Sequence, residues 1–397
     1  MRDVTISHRR SAGAPRPLVL VVYGTRPEAI KAAPLVLGLR DRGRADVQVI
    51  TTGQHRHMLD QVNEVFGIEP DHVLGLFEPG QGIESIVAKT LLRLTPVLHE
   101  LRPDAVVVHG DTSTANASAQ AAFYAGVPVV HLEAGLRTYD LASPFPEEAN
   151  RQIVGRLATL HLAPTERNRQ ALLAEQVPGE RIVVTGNTVI DALHSVVDRI
   201  SSGTALYADR RRVLVTLHRR ENLGETMAGV ARALARVAGE SPDVCFVVPL
   251  HLNPAVRRVV IPILQAHSNI SIHEPMDYVE FVGELARCGL VVTDSGGLQE
   301  EGPGLGKPVL VARNTTERPE AIDAGTARLV GTAEEDVYRE LRRLLSDEVA
   351  YEAMATAVNP YGDGHAVPRC AAAVEELVGV GMREPDFVYE PSPKASV

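Results

Sequence analysis

Short apolar runs alternate with longer, helix-compatible stretches along most of the chain. Residues 17–23 (PLVLVVY) read as a buried strand and 27–40 as the helix that follows it. Residues 46–52 (DVQVITT) and 105–109 (AVVVH) are expected as the next strands, with a helix over 113–125. Residues 127–131 form a fourth strand, and 160–163 and 181–185 shorter ones. Unbroken Val, Ile and Leu runs suit strands covered on both faces, as in a parallel sheet. The pattern restarts at 212–216 (RVLVT), 244–249 (VCFVVP), 270–272, 290–293 (LVVT) and 308–311 (PVLV). Such alternation predicts an α/β fold of two doubly wound, Rossmann-like domains. The polar stretch 198–211 (DRISSGTALYADRR) marks the junction, with one domain over 17–197 and the other over 205–364. Two such halves imply a central cleft, and crevices beyond strand C-termini are where these sheets bind ligands.

The 397 residues suit about two or three domains. Hydrophobic residues at 45% and charged residues at 23% are ordinary globular values. Forty Lys+Arg against 50 Asp+Glu leave a net charge of −10, which argues against general nucleic-acid binding. An anionic ligand then needs positive charge gathered locally. No stretch approaches the ~20 apolar residues of a membrane span. Cys245, Cys288 and Cys370 lie far apart with no CxxC, which fits a reducing cytoplasm and argues against a structural zinc site. Residues 1–16 lack the apolar core of a signal peptide and read as a flexible tail, as do 384–397 with their three prolines.

Chemistry collects at the strand ends. After the first strand comes Gly24-Thr25-Arg26-Pro27-Glu28, with Lys31 one turn on. Either this is a capped helix with surface cations, or a helix start that attracts an anion. Neither GxGxxG nor GxxxxGKS is present. His109-Gly110-Asp111-Thr112-Ser113 offers Asp111 as an acid/base or as a helix N-cap. Glu133 follows a buried run and needs a partner or a raised pKa. Glu147 and Glu148 are acid/base candidates or helix-start charge. In the second half, His218-Arg219-Arg220 and His251 end strands, and Ser295-Gly296-Gly297 opens a helix with backbone N–H groups suited to a diphosphate. Glu301 follows one turn on, and Arg318 ends on the same side of the sheet. Carboxylates in the first half and phosphate donors in the second describe an enzyme acting on a nucleotide-activated substrate.

These segments resemble the non-hydrolysing UDP-N-acetylglucosamine 2-epimerases. The similar motifs include GTRPEAIKAAPL (24–35), TGQHRHMLDQV (52–62), HGDTSTA (109–115), HLEAGLRT (131–138), SPFPEEANR (143–151), TLHRREN (216–222), PLHLNP (249–254), TDSGGLQEEGPGLGKPVLV (293–311) and TTERPEA (315–321), in order along the chain. The resemblance implies a GT-B-like fold with the segment around 365–382 packing back on the first domain. It implies reversible conversion of UDP-GlcNAc to UDP-ManNAc by elimination of UDP and re-addition, with no cofactor and no metal. It assigns Asp111, Glu133, Glu147 and His218 to catalysis. Arg26, Lys31, Arg219, His251, Ser295, Gly296, Gly297 and Arg318 fall to the sugar and diphosphate, Phe281 to the uracil and Glu301 to the ribose. An activator site known in the family maps to Gln54, Glu147, Arg219 and His251, while His57 and Gly80 depart from its pattern. Gly302 and Gly304 stand where Ala and Ser are usual and are expected to loosen their helix. The resemblance also implies a cytoplasmic homodimer with no nucleic-acid or membrane partner. The competing readings are a GT-B glycosyltransferase, a hydrolysing epimerase that releases ManNAc and UDP, and a nucleotide-sugar sensor.

Overall fold

The structure, a computed structural model, describes residues 15–53, 56–76, 78, 80–201, 208–219 and 222–391. The fold divides into two compact units. One takes its described residues from Met1–Ala192 and Gly362–Val388, the other from Leu193–Tyr361 and Tyr389–Val397. The first holds strands β1 (Leu18–Tyr23), β2 (Asp46–Thr51), β3 (His72–Val73), β4 (Ala105–His109), β5 (Val129–Leu132), β6 (Leu160–Ala163) and β7 (Ile182–Val184). They form one parallel sheet in the order β3-β2-β1-β4-β5-β6-β7. The second holds β8 (Asp209–Thr216), β9 (Cys245–Pro249), β10 (Ile270–His273), β11 (Cys288–Thr293), β12 (Val309–Val311) and β13 (Ala327–Leu329), in the parallel order β10-β9-β8-β11-β12-β13. Each sheet reverses its winding beside its first strand, between β1 and β4 and between β8 and β11. These are the switch points where doubly wound sheets bind ligands.

The apolar runs explain the layering. Every residue of β4, β5 and β11 is buried, because helices cover both faces. The helix Arg26–Arg42 carries Pro27 in its first turn, where a missing N–H costs nothing. Gly302 has a packing role in its helix. A Cβ there would lie 2.6 Å from Val309 Cγ2, so the glycine lets Leu298–Gly304 approach β12 closely.

The helix Ala366–Leu377 belongs to the first unit and packs on Arg26–Arg42. Asp191 accepts the N–H groups of Ala366 and Val367 at 3.2 and 2.9 Å and so caps it. The buried Glu375 accepts Arg42 Nε and Nη2 at 2.9 and 3.0 Å and Arg44 Nη1 at 3.1 Å. The flexible tail expected from 384 does not begin there. Phe387 is buried and its N–H donates to the Val184 carbonyl of edge strand β7 at 2.7 Å, while Asp386 pairs with Arg169 at 3.0 Å. A sheet edge with a spare carbonyl gives the chain a partner. Residues 1–14 and 392–397 of the expected tails lie outside the described residues. At the expected junction, the helix Thr188–Ser201 continues through 198, and 202–207 lie outside the described residues. Among the described residues no helix is long and apolar enough to cross a membrane.

Two buried histidines make the first unit acid-sensitive. Burial holds His131 down to about 3, helped by the neighbouring His161. Burial and then Arg137 hold His161 down to about 4. Below the ordinary value of 6.5 the unfolded chain binds these two protons and the folded chain does not. Stability present above 6.5 is therefore lost as the pH falls toward 4 and 3. The melting temperature is expected to fall by several degrees between about pH 6.5 and 4.5, above the range where depressed carboxylates protonate. A flat profile in thermal melts over that window would show that the two rings are solvated.

Candidate active site

In the first unit the site builds on the loops after β1, β4 and β5. Glu28 closes the turn after β1, accepting the N–H groups of Gly24 and Thr25 at 2.8 and 2.7 Å. This leaves Arg26 exposed and carries Lys31 one turn inward. Lys31 Nζ forms an ion pair with Glu133 Oε1. Asn187 Nδ2 donates to the same oxygen at 2.9 Å, and His109 Nε2 lies 3.3 Å from Oε2. Both His109 ring nitrogens are buried without a hydrogen-bond partner among the described residues, so the ring is held by packing beside the carboxylate. Glu133 has φ 63°, a left-handed backbone that costs a non-glycine residue about 1–3 kcal/mol. The surrounding partners hold it there.

Asp111 is not an N-cap. Thr112 takes that role, its Oγ1 accepting from Ala115 N–H at 3.0 Å. Asp111 Oδ2 instead accepts Arg151 Nε at 3.1 Å and also Nη2, and Asn150 Nδ2 donates to its carbonyl at 2.9 Å. The adjacent carboxylates 147 and 148 separate. Glu148 is fully buried and accepts Thr138 N–H, Tyr139 N–H, Gln152 Nε2 and Arg151 Nη1 at 2.9, 3.1, 2.8 and 3.1 Å. Burial raises its carboxyl, but these donors outweigh burial and lower it. It braces the loop after β5. Glu147 is half-buried at the start of the helix Glu147–Leu157.

In the second unit β8 and β11 set the geometry. Asp294, fully buried at the end of β11, accepts His218 N–H at 3.0 Å and Arg219 N–H at 2.9 Å. His218 Nδ1 lies 3.1 Å from Asp294 Oδ1. Burial raises the Asp294 carboxyl, but His218 and the backbone donors outweigh it and the pKa is lowered. An ionised carboxylate only accepts, so the His218 nitrogen that faces it, Nδ1, is the donor. The His251 ring stacks beside it with centroids 6.1 Å apart. Ser295 N–H donates to Thr293 Oγ1 at 2.9 Å, and Gly296 and Gly297 follow. Glu317 bridges Arg219 and Arg313, its oxygens 3.1 and 2.7 Å from their guanidinium nitrogens. Arg318 is buried and pairs with the buried Glu300. Glu301 is half-buried, and its charge reaches the Tyr278 hydroxyl, which burial first and Glu301 second push well above its usual range. Phe281 is half-buried on the helix Tyr278–Arg287.

Sequence reasoning passed over His109, Arg151, Asn187, Asp294, Arg313 and Glu317. His109, Arg151, Asp294 and Glu317 stand inside the motifs of the resemblance, within a few residues of those it assigns. Of the activator positions, Gln54 lies outside the described residues, and nothing is described of the His57 side chain.

The chain has relatives of known name. The family model for UDP-N-acetylglucosamine 2-epimerase matches residues 38–375. The UDP-N-acetylglucosamine 2-epimerase of Salmonella typhimurium is 50% identical over 368 residues, covering 90% of this chain and 98% of that protein. Among solved structures, UDP-GlcNAc 2-epimerase from Neisseria meningitidis bound to UDP-GlcNAc is 44% identical with a TM-score of 0.82, over 88% of this chain and 97% of that one. The S. aureus MnaA–UDP co-structure is 43% identical with a TM-score of 0.85, over 94% and 100%. The paired parallel sheets place the present chain in their GT-B-like fold class.

Proposed function

Since the chain belongs to the UDP-N-acetylglucosamine 2-epimerase family, we propose that it interconverts UDP-GlcNAc and UDP-ManNAc without net hydrolysis, by elimination and re-addition of UDP. The observation that supports this reading most is that Asp111, Glu133, Glu147 and His218 all stand intact in a chain half identical to an epimerase over 90% of its length. A sensor has no need of them.

The sugar C2–H has no adjacent carbonyl and is poorly acidic. Departure of UDP from C1 must therefore carry much of the bond breaking. As C2–H and C1–O break, a C1=C2 double bond forms, giving 2-acetamidoglucal and UDP. The proton then returns to the opposite face of C2 and UDP re-adds at C1. The sequence is redox-neutral and needs no hydride carrier. In this reading Asp111, Glu133, Glu147 and His218 share the proton transfers on the two faces, each worth typically ~10²–10⁴-fold. Lys31 pairs with Glu133 and holds its carboxylate in place. Arg26, Arg219, Arg318, Ser295 and the Gly296 and Gly297 amides stabilise charge growing on the leaving diphosphate. Glu301 takes the ribose and Phe281 the uracil. The same proposal carries a cytoplasmic homodimer.

Proton NMR of the protein with UDP-GlcNAc in D₂O, without acceptor, tests it. UDP-ManNAc carrying deuterium at C2 is the expected product. Free ManNAc with UDP would assign the hydrolysing reaction instead. An unchanged substrate would overturn the epimerase reading and point to the transferase.

A further inference from the structure

The charged groups beside Gly296 carry more than a list of phosphate donors. A methyl group built on Gly296 would stand 3.2 Å from Glu317 Oε1 and 3.6 Å from Arg219 Nη2. The Glu317 carboxylate thus rests near the glycine backbone, bridging Arg219 and Arg313. Burial alone would raise its carboxyl. Arg318, Arg313 and Arg219 outweigh burial and hold it at about 2, so it is an anion throughout the neutral range. The Arg219 Nε–H, meanwhile, is buried with no hydrogen-bond partner among the described residues. A buried donor left unmatched marks a group that lacks its acceptor.

A diphosphate laid against the backbone of 295–297 meets this carboxylate. Two anions sharing one guanidinium in a partly desolvated site repel one another. Resting on the reading given under Proposed function, we infer that Glu317 is a positioning residue, a resident counter-anion that orders Arg219 and Arg313 in the free protein and yields Arg219 to the diphosphate of UDP. The competition holds down the affinity for UDP. Elimination and re-addition require this, because UDP must leave C1 and return. A site that gripped free UDP too strongly would stabilise the intermediate and slow the second half of the reaction.

Calorimetric titration of UDP into the full-length protein, with kcat and KM for UDP-GlcNAc, tests the inference on Glu317→Gln. The Kd for UDP is expected to fall about tenfold, with KM falling and kcat falling together. A side chain that merely braced the arginines would give the opposite result, a higher Kd and a higher KM. That result, or an unchanged Kd, overturns the inference while wild-type binding of UDP leaves the parent reading standing. Glu317→Asp, which keeps the charge but draws it back, is expected to tighten UDP by a smaller factor. It serves where the Gln variant does not fold, and unchanged or weaker binding by it overturns the inference equally. A wild-type protein that does not bind UDP overturns both readings.

Discussion

Glu133→Gln is expected to lower turnover by about 10²–10⁴-fold while leaving the fold intact. The amide keeps an acceptor for Lys31 and Asn187, so the two donors on Oε1 remain matched. What is lost is the charge, and with it the capacity to take a proton. The backbone argues for function independently. A glutamate at φ 63° is uncommon, and a glycine there would relieve the cost. Keeping glutamate means that its side chain is wanted at that point, held by a lysine 102 residues away and an asparagine 54 residues away. Glu133→Asp keeps the charge but withdraws it by one methylene from Lys31 and His109. A displacement of that size is expected to cost roughly 10²-fold. UDP-ManNAc formation followed by NMR, with circular dichroism of each variant, checks both. Near-normal turnover in Glu133→Gln would remove Glu133 from the chemistry.

The sheets were legible because most of their strands are apolar runs, and the eleven strands expected from such runs are all found. The two missed, His72–Val73 and Ala327–Leu329, are short edge strands, with one neighbour each and partly exposed. They need no apolar run and show none. By sequence the polar Asp209, Arg210 and Arg211 suit the junction, yet they extend β8 at its exposed end. The site was legible by residue type and not by pairing. Asp111 and Thr112 both suit an N-cap in sequence, and only the contact from Ala115 N–H chooses the threonine. Glu147 and Glu148 are indistinguishable as letters. Helical geometry turns one into the core against Arg151 and leaves the other half-buried. The partners of Glu133 and His218 come from remote strand ends, loops and a helix, which no local pattern encodes.

The second large effect follows from that last pairing. Asp294→Asn is expected to lower kcat by about 10²–10⁴-fold while leaving the Kd for UDP within about twofold. The carboxylate can only accept, so it fixes the proton of His218 on Nδ1 and leaves Nε2 to take or share one. An asparagine offers its N–H₂ to Nδ1 as readily as its oxygen, which moves the ring proton to Nε2 and blocks that role. Its oxygen still accepts a backbone N–H from His218 or Arg219, so the loop after β8 keeps part of its support. The effect is thereby directed at the ring and not at the diphosphate donors. If Asp294 were only a loop brace, UDP binding and thermal stability would fall with turnover. Calorimetry, melting temperature and the rate of deuterium entry at C2 separate the two cases. Retention of more than a tenth of wild-type turnover, or a loss of UDP binding that matches the loss of rate, would show that the carboxylate does not act through the imidazole.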